Sequence, residues 1–395
     1  MSTTAITHGL DGSLVEPDWA PLTLAEVREL LQQFHGFSEP IEIVSTSPRP
    51  LSAASVVRTG TQRVFVKRHH RAVRDREGLL EEHRFLAHLL ANGTPVPRVI
   101  ASSSGETALE RGEWTYEVHE TPASVDLYGD AISWTPFRSI VHAYSAGQQL
   151  AHLHLDSEGF GAPQRKPRPL LASFSIFAAQ DAHTALRRYL SARPTLAENE
   201  TVLDCCNEAL QLLSPFHAEL CPLLHALEPL WTHNDLHASN LLWSDSGDNA
   251  TATAIIDFGL ADRTNAVHDL AHAIERNIVE WLTFSHELAH PENVSVHLDH
   301  LEALLSGYES VRPLSNMEAA ALAPMTALCH AEFALSESDY FLRVLHSDEK
   351  ARMAYDGWLV GHARWFRSAG GNMLLNAIRR WADRRIHRHE GNRRP

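Results

Sequence analysis

A chain of 395 residues, 44% apolar and 21% charged, carries enough apolar material for a packed interior, so disorder is excluded for most of its length and two lobes are within reach. Its formal net charge of −15 excludes a general nucleic-acid binder, which presents a basic face, and suits a cationic small-molecule partner. No segment has the basic start and apolar centre of a signal peptide, no apolar run spans a bilayer, and the four cysteines (Cys205, Cys206, Cys221, Cys329) lack zinc-ligand spacing; the expectation is a cytoplasmic protein with reduced thiols and no membrane contact.

Residues up to about Pro21 show no periodicity and read as a loose arm. Thr23 with Glu26 is a capping-box signature, and Leu24, Val27, Leu31 and Phe34 then mark a helix that stops at Gly36. Three strand-like pieces follow, Ile41–Ser45, Ser55–Arg58 and Val64–Lys67, the first two separated by SPRPLSAA and the third preceded by a Thr59-Gly60-Thr61 turn. In the helix expected over Arg74–Ala91, Leu79, Phe85, Leu86, Leu89 and Leu90 share one face, with Glu82 near its middle and Glu81 at its edge. A carboxylate in an apolar stripe costs roughly several kcal/mol unless a cation meets it. Lys67 is the natural partner, and Glu82 is preferred to Glu81.

Pro95 and Pro97 forbid helix, and a hairpin follows: Thr107–Arg111, a Gly112-Glu113 turn and Trp114–His119. Glu120–Gly129 has the low periodicity of a linker. The chain thus divides into an N-terminal lobe, 1–121, with its arm and first helix, and a helical lobe, 122–395. From Trp134 the pattern is helical, with helices expected over Phe137–Leu155, Ala178–Ser191 and Thr201–Leu227. His152 and His154 stand at i,i+2 and point apart, so they read as packing residues instead of a metal pair. The other histidines are scattered and form no ligand pattern.

The helical lobe is interrupted once, by WTHNDLHASNLLWSDSGDNATATAIIDFGLAD over Trp231–Asp262. Leu241–Trp243 and Ala254–Ile256 read as short buried strands joined by the turn-rich Ser244–Asn249. An antiparallel hairpin brings Asn240, before its first strand, beside Asp257, after its second. A carboxylate and an amide carbonyl together form a hard oxygen site suited to Mg²⁺. Asp235 lies in the same loop at the spacing H-x-D-x-x-x-x-N. Any one of these residues could be a turn or cap residue; all three at these offsets argue for chemistry.

This spacing, followed by Asp257-Phe258-Gly259, resembles the catalytic and metal-binding loops of the protein-kinase-like superfamily, and His233-Asn234-Asp235-Leu236-His237 is more similar to its aminoglycoside phosphotransferase and choline kinase branch. That branch has Gly where Asn234 stands. The resemblance implies an α+β, two-lobed fold with a small antiparallel-sheet lobe above a larger helical one. It also implies that Asp235 takes the proton of an attacking hydroxyl, that Asn240 and Asp257 hold Mg²⁺ on ATP, and that Lys67, paired with Glu82, meets the phosphates. Ser52 and Ser55 would stand in a phosphate loop without its glycines, and His119, Glu120 and Thr121 at the nucleotide edge. Asp269, in Asp269-Leu270-Ala271, would cap a helix beneath the catalytic loop and brace that loop. The missing A-P-E activation segment favours a small hydroxyl acceptor, such as an aminoglycoside, amino sugar or amino alcohol; the alternatives are an atypical Ser/Thr protein kinase and a non-catalytic nucleotide-binding regulator.

Leu270–Arg367 reads as helical. Its carboxylates Glu275, Glu280, Glu332, Glu337 and Asp339 are each available to a cationic acceptor but are expected as solvated helix residues. The tail after Gly370-Gly371 ends in RRWADRRIHRHEGNRRP, a basic amphipathic helix expected to dock on the acidic body.

Overall fold

The computed structural model describes residues 7–8, 14–60, 62–284 and 294–391. A short ribbon, β1 (Thr7–His8) on β2 (Leu14–Val15), precedes α1 (Leu24–Leu31), whose Thr23 and Glu26 form the capping box in both directions. Then come β3 (Glu42–Thr46), β4 (Ala53–Arg58), β5 (Arg63–His70), α2 (Arg76–Asn92), β6 (Leu109–Arg111) and β7 (Trp114–Glu120). The five strands make one antiparallel sheet in the order β3-β4-β5-β7-β6.

Strand alternation decides which side chains reach the cleft. Ala53, Val57, Val64, Val66 and Val118 pack with Val27 and Leu30 of α1 into a small apolar cluster. Ala54, Val56, Phe65 and Lys67, one residue out of phase, face the opposite side and line a cavity. Ser55 shares the phase of Ala53 and Val57. It is fully buried beside Thr46, hydroxyl to hydroxyl 3.4 Å, and so lies away from the cleft where the phosphate-loop reading puts it.

Helix α2 starts on an Asp75 cap and ends at Gly93 with φ 110°, a left-handed residue suited to glycine. Its Phe85, Leu86 and Leu89 join the large apolar cluster of the helical lobe, not the sheet's own cluster. The arm is not loose at Asp18–Ala20. Trp19 stacks on His70 with ring centres 4.8 Å apart, while Asp18 accepts from the Tyr340 hydroxyl at 3.0 Å and pairs with Lys350.

The helical lobe runs through α3 (Ile140–Asp156), α4 (Ala182–Ser191), α5 (Pro194–Ala197) and α6 (Glu200–Leu220), with a 3₁₀ turn at Cys221–Ala226 where Pro222 ends the expected helix. Two antiparallel ladders follow. Strand β9 (Leu241–Trp243) pairs with β10 (Ala252–Ile255), and β8 (Pro229–Thr232) pairs with β11 (Asp262–Asn265). The remainder is α7 (Ala266–Ile278), α8 (Trp281–Phe284), α9 (Leu298–Val311), α10 (Asn316–Leu328), α11 (His330–Asp339), α12 (Asp348–Arg352), α13 (His362–Phe366) and α14 (Ala369–Gly391), with π-helical turns at Tyr340–Val344 and Met353–Gly361.

Three expectations change here. The cap of α7 is Asn265, whose side chain accepts from the His268 amide, and not Asp269. Glu275, Glu332, Glu337 and Asp339 are buried instead of solvated, because α7 and α11 run through the interior; Glu280 is half-buried and pairs with His297. Helix α14 begins before Gly370 and docks through Arg379–Glu219 and Arg385–Glu309, 2.8 Å each; Arg393 and Arg394 lie outside the described residues. Among the described residues, no helix is long and apolar enough to cross a membrane.

Candidate active site

The β9–β10 register sets the site. Leu241 faces Ile255, and the Ile256 amide donates to the Asn240 carbonyl at 2.9 Å, so Asn240 and Asp257 leave the ladder side by side. The Asn240 side-chain amide donates to the Asp235 carbonyl at 2.9 Å and to its carboxylate at 3.3 Å, bringing the third residue in. From the sheet lobe, Lys67 Nζ donates to Asp257 Oδ1 at 2.9 Å. Lys67, Asp235, Asn240 and Asp257 line one cavity of about 150 Å³ with Ser52, Arg74, Trp134, Leu170, Phe333 and Glu337.

An adjoining cavity of about 350 Å³ lies under the sheet and is lined by Ser52, Lys67, Glu82, His119, Glu120, Thr121, Asn240 and Asp257. Of the residues expected to serve catalysis, metal or nucleotide, all but Ser55 line these two spaces. The Lys67 contact differs from the expectation. Its ion pair goes to Asp257, and Glu82, buried on the cleft side of α2, acts on it only by longer-range charge. Glu81 turns to Arg165, at 3.3 Å, so the choice between the two glutamates agrees with their burial. At the edge expected to meet a nucleotide, the Glu120 amide is already given to the Arg98 carbonyl at 2.9 Å, and the His119 ring is held by Glu117 at 2.9 Å.

Asp257 has φ 60°, a left-handed conformation uncommon outside glycine, and 41% of its side chain is open to the cleft. Burial of the group works against ionisation, but the charge and hydrogen bond of Lys67 outweigh it and hold the carboxyl well below the ordinary range. Asn234 also has a positive φ, 61°. That explains why a glycine position accepts asparagine, the non-glycine residue most tolerant of this region. Its Oδ1 accepts from the hydroxyls of Thr232 and Thr264 at 3.0 Å each and lies 3.1 Å from His268 Nδ1.

Beneath the loop, Asp269 takes the amides of His233 and Asn234 at 2.8 and 2.7 Å and the His154 ring at 3.0 Å. His154 is in turn 2.7 Å from the Tyr308 hydroxyl, so it is a buried brace, as its packing reading required. Burial raises the Asp269 pKa, yet these partners bring it down to about 2. Asn277 clamps the other end, donating to the Leu236 carbonyl at 2.8 Å and accepting from the Ala238 amide at 2.9 Å.

The sequence reading passed over Arg276, Asn277, Trp134, Leu170, Arg49 and Arg74. Arg276 is fully buried, pairs with the Asp235 carboxylate, and lies 4.8 Å from the Phe333 ring centre. Arg276 and Asn277 stand about two helical turns after Asp269 on α7, and that recurrence was the readable signal. Trp134 and Leu170 have φ 66° and 53°; nothing in side-chain pattern announces such backbone strain, which collects at functional sites.

A model of the phosphotransferase enzyme family matches residues 47–314, the span that holds Lys67, Asp235, Asn240 and Asp257. The chain belongs to the phosphotransferase enzyme family. Within this phosphotransferase family it is similar to a homoserine kinase of Rhodospirillum rubrum, 29% identical over 238 residues, 60% of this chain and 61% of that protein; the match thus spans less than two thirds of the relative. A homoserine kinase of Gluconobacter oxydans is 25% identical over 308 residues, 74% of this chain and 77% of that one. Among solved structures, an amicoumacin kinase in complex with AMP-PNP and Ca²⁺ superimposes with a TM-score of 0.52 at 11% identity, covering 85% of this chain and 93% of that chain. That likeness is one of fold: the two-lobed, protein-kinase-like α+β architecture expected from the phosphotransferase loops.

Proposed function

We propose that this phosphotransferase is an ATP- and Mg²⁺-dependent kinase of a compact amino alcohol of the homoserine type. The observation that carries the reading is the meeting of Lys67 from the sheet lobe with Asp235, Asn240 and Asp257 from the helical lobe around one cavity. Asp235 accepts the proton of the acceptor hydroxyl as that oxygen bonds the γ-phosphorus and the bond to the β-phosphate oxygen breaks, releasing ADP. Buried Arg276 pairs with the Asp235 carboxylate and keeps it aimed into the cavity. Lys67 offsets phosphate charge.

The residues fit a divalent metal. The Asn240 amide nitrogen is used on Asp235, which leaves its carbonyl oxygen for a cation, and the Asp257 carboxyl is held ionised, so both offer hard oxygen donors. When bound there, Mg²⁺ supplies neutralisation of the phosphate oxygens. The acceptor class follows from the charge of the lining, which holds a carboxyl, Glu337, together with the guanidiniums of Arg49 and Arg74. A zwitterion with an ammonium and a carboxylate answers both signs once Glu337 is ionised, above about pH 8. The two relatives named homoserine kinase support the same class.

The test is ADP release by the purified full chain with Mg²⁺-ATP across homoserine, choline-like alcohols, amino sugars and aminoglycosides. The expected result is turnover on homoserine, lowered on the order of 10²–10⁴-fold in Asp235→Asn with nucleotide affinity retained. Turnover confined to aminoglycosides would overturn the acceptor class, and unchanged turnover in Asp235→Asn would remove the base.

A further inference from the structure

Behind the acceptor cavity, and absent from the residues lining it, lies a second polar cluster drawn from α7, α11 and α13. Glu275, His330 and His362 are 0%, 3% and 3% exposed. Glu275 Oε1 is 3.5 Å from His330 Nδ1 and 3.5 Å from His362 Nδ1. Among the described residues, neither oxygen of Glu275 and no ring nitrogen of His330 or His362 has a hydrogen-bond partner, and both ring nitrogens of nearby His272 are equally unserved. His272 and Cys329 approach the same carboxylate: donor atoms of His272, Glu275 and Cys329 all lie within 4.8 Å of one another, as do those of Glu275, His330 and His362. Buried polar groups in a folded chain find partners, so this cluster calls for an occupant.

The spacing says which occupant. A tetrahedral ion with bonds of about 2.0–2.1 Å sets its ligand atoms roughly 3.4 Å apart. A water bridging two groups at hydrogen-bond length holds them about 4.5 Å apart. The observed 3.5 Å agrees with the ion and is too long for direct hydrogen bonds of good geometry. The same molecule offers a contrast at Glu117, which His69, His83 and His119 meet at 2.9, 2.8 and 2.9 Å; those are ordinary hydrogen bonds and leave no vacancy. Imidazoles, a carboxylate and a neighbouring thiol form the mixed nitrogen, oxygen and sulfur donor set that suits Zn²⁺ better than Mg²⁺. The second oxygen of Glu275 lies 3.7 Å from Arg276 Nε, so an ion here would fix α7 at the residue that pairs with Asp235.

We propose that Glu275, His330 and His362 hold a structural Zn²⁺, with the fourth ligand drawn from His272 or Cys329. The ion ties three helices together and is separate from the metal at Asn240 and Asp257; it does not depend on the acceptor assignment. Full-length protein purified without chelators should contain about one zinc per chain by plasma mass spectrometry, retained in metal-free buffer with or without Mg²⁺-ATP. Stripping with a strong chelator should lower Tm by at least about 5 °C, with recovery on adding Zn²⁺. Co²⁺ added to stripped protein should give the intense visible bands of a tetrahedral site. His362→Ala and Glu275→Gln should cut bound zinc at least tenfold; should either variant fail to fold, the Co²⁺ titration of the unmutated chain still decides. Less than a tenth of an equivalent of zinc, no Co²⁺ band and a Tm indifferent to chelator and Zn²⁺ would overturn the site.

Discussion

Asn234 shows how a residue can be noticed in the sequence while its role stays hidden there. Its departure from glycine was visible in the sequence, but its φ of 61° and its three side-chain partners were not, because both depend on β8, β11 and α7 meeting around it. Asn234→Gly keeps the backbone conformation and loses the partners, so it should cost about 1–2 kcal/mol. Asn234→Ala adds about 1–2 kcal/mol for a left-handed residue with a Cβ. Urea unfolding of both variants checks the order; alanine equal to glycine would show that the backbone conformation contributes nothing. Glu337 makes the complementary case. Burial raises its pKa to about 8, with the Arg276 charge opposing and Glu275 adding to the rise. Below that pH the carboxyl is neutral and a poor host for an ammonium, and above it the carboxylate attracts one. The kcat/KM for an amine-bearing acceptor should therefore rise between about pH 7 and pH 9, while Glu337→Gln flattens the profile and raises acceptor KM about tenfold or more with ATP KM little changed.

At the scale of elements, α7 organises the loop. Asp269 holds the His233 and Asn234 amides, Arg276 pairs with Asp235, and Asn277 clamps Leu236 and Ala238. The loop itself was legible because its residues are close in sequence and their spacing encodes the hairpin. The polar face of α7 was not fully legible, because a helix residue reveals its partner only once the packing is known. The same physics leaves Asp269 the expected brace but not the expected cap: the cap of α7 lies four residues earlier, at Asn265. Asp269 also gives a pH signature. Its pKa is about 2 in the folded chain against roughly 3.9 unfolded, so the stabilisation is present above pH 4 and is lost as pH falls through about 2. The difference is worth on the order of 2 kcal/mol. Comparing urea midpoints at pH 5 and pH 2.5 should show a steeper loss for the unmutated chain than for Asp269→Asn, and parallel losses would assign the acid sensitivity elsewhere.

For the molecule as a whole, the sheet, the hairpin and the existence of two lobes follow from pattern, yet the division at residue 121 cuts across the packing. Phe85, Leu86 and Leu89 of α2 belong to the helical lobe's apolar cluster, although α2 lies between strands of the sheet in the chain. Arg74 and Arg165 reinforce the join: Arg74 donates to the Leu170 carbonyl at 3.0 Å, and Arg165 donates to the Gly78 carbonyl at 2.9 Å and to the Ala261 carbonyl at 2.9 Å. Asp18 and Trp19 bridge the same two bodies from the arm. Burying one large apolar side chain is worth about 1.5–3 kcal/mol, so exposing these three would forfeit about 5–9 kcal/mol. A small domain has about 5–15 kcal/mol in all. Residues 1–121 expressed alone should therefore remain unfolded or associate, with little protection in amide hydrogen exchange, and the full chain should unfold in one calorimetric transition. A soluble fragment with the exchange protection of the intact sheet, or two resolved transitions in the full chain, would mean that the α2 face is dispensable and that the lobes are independent bodies. The expected single transition instead makes the two sides of the cleft one cooperative unit, in keeping with Lys67 held at 2.9 Å from Asp257 across it.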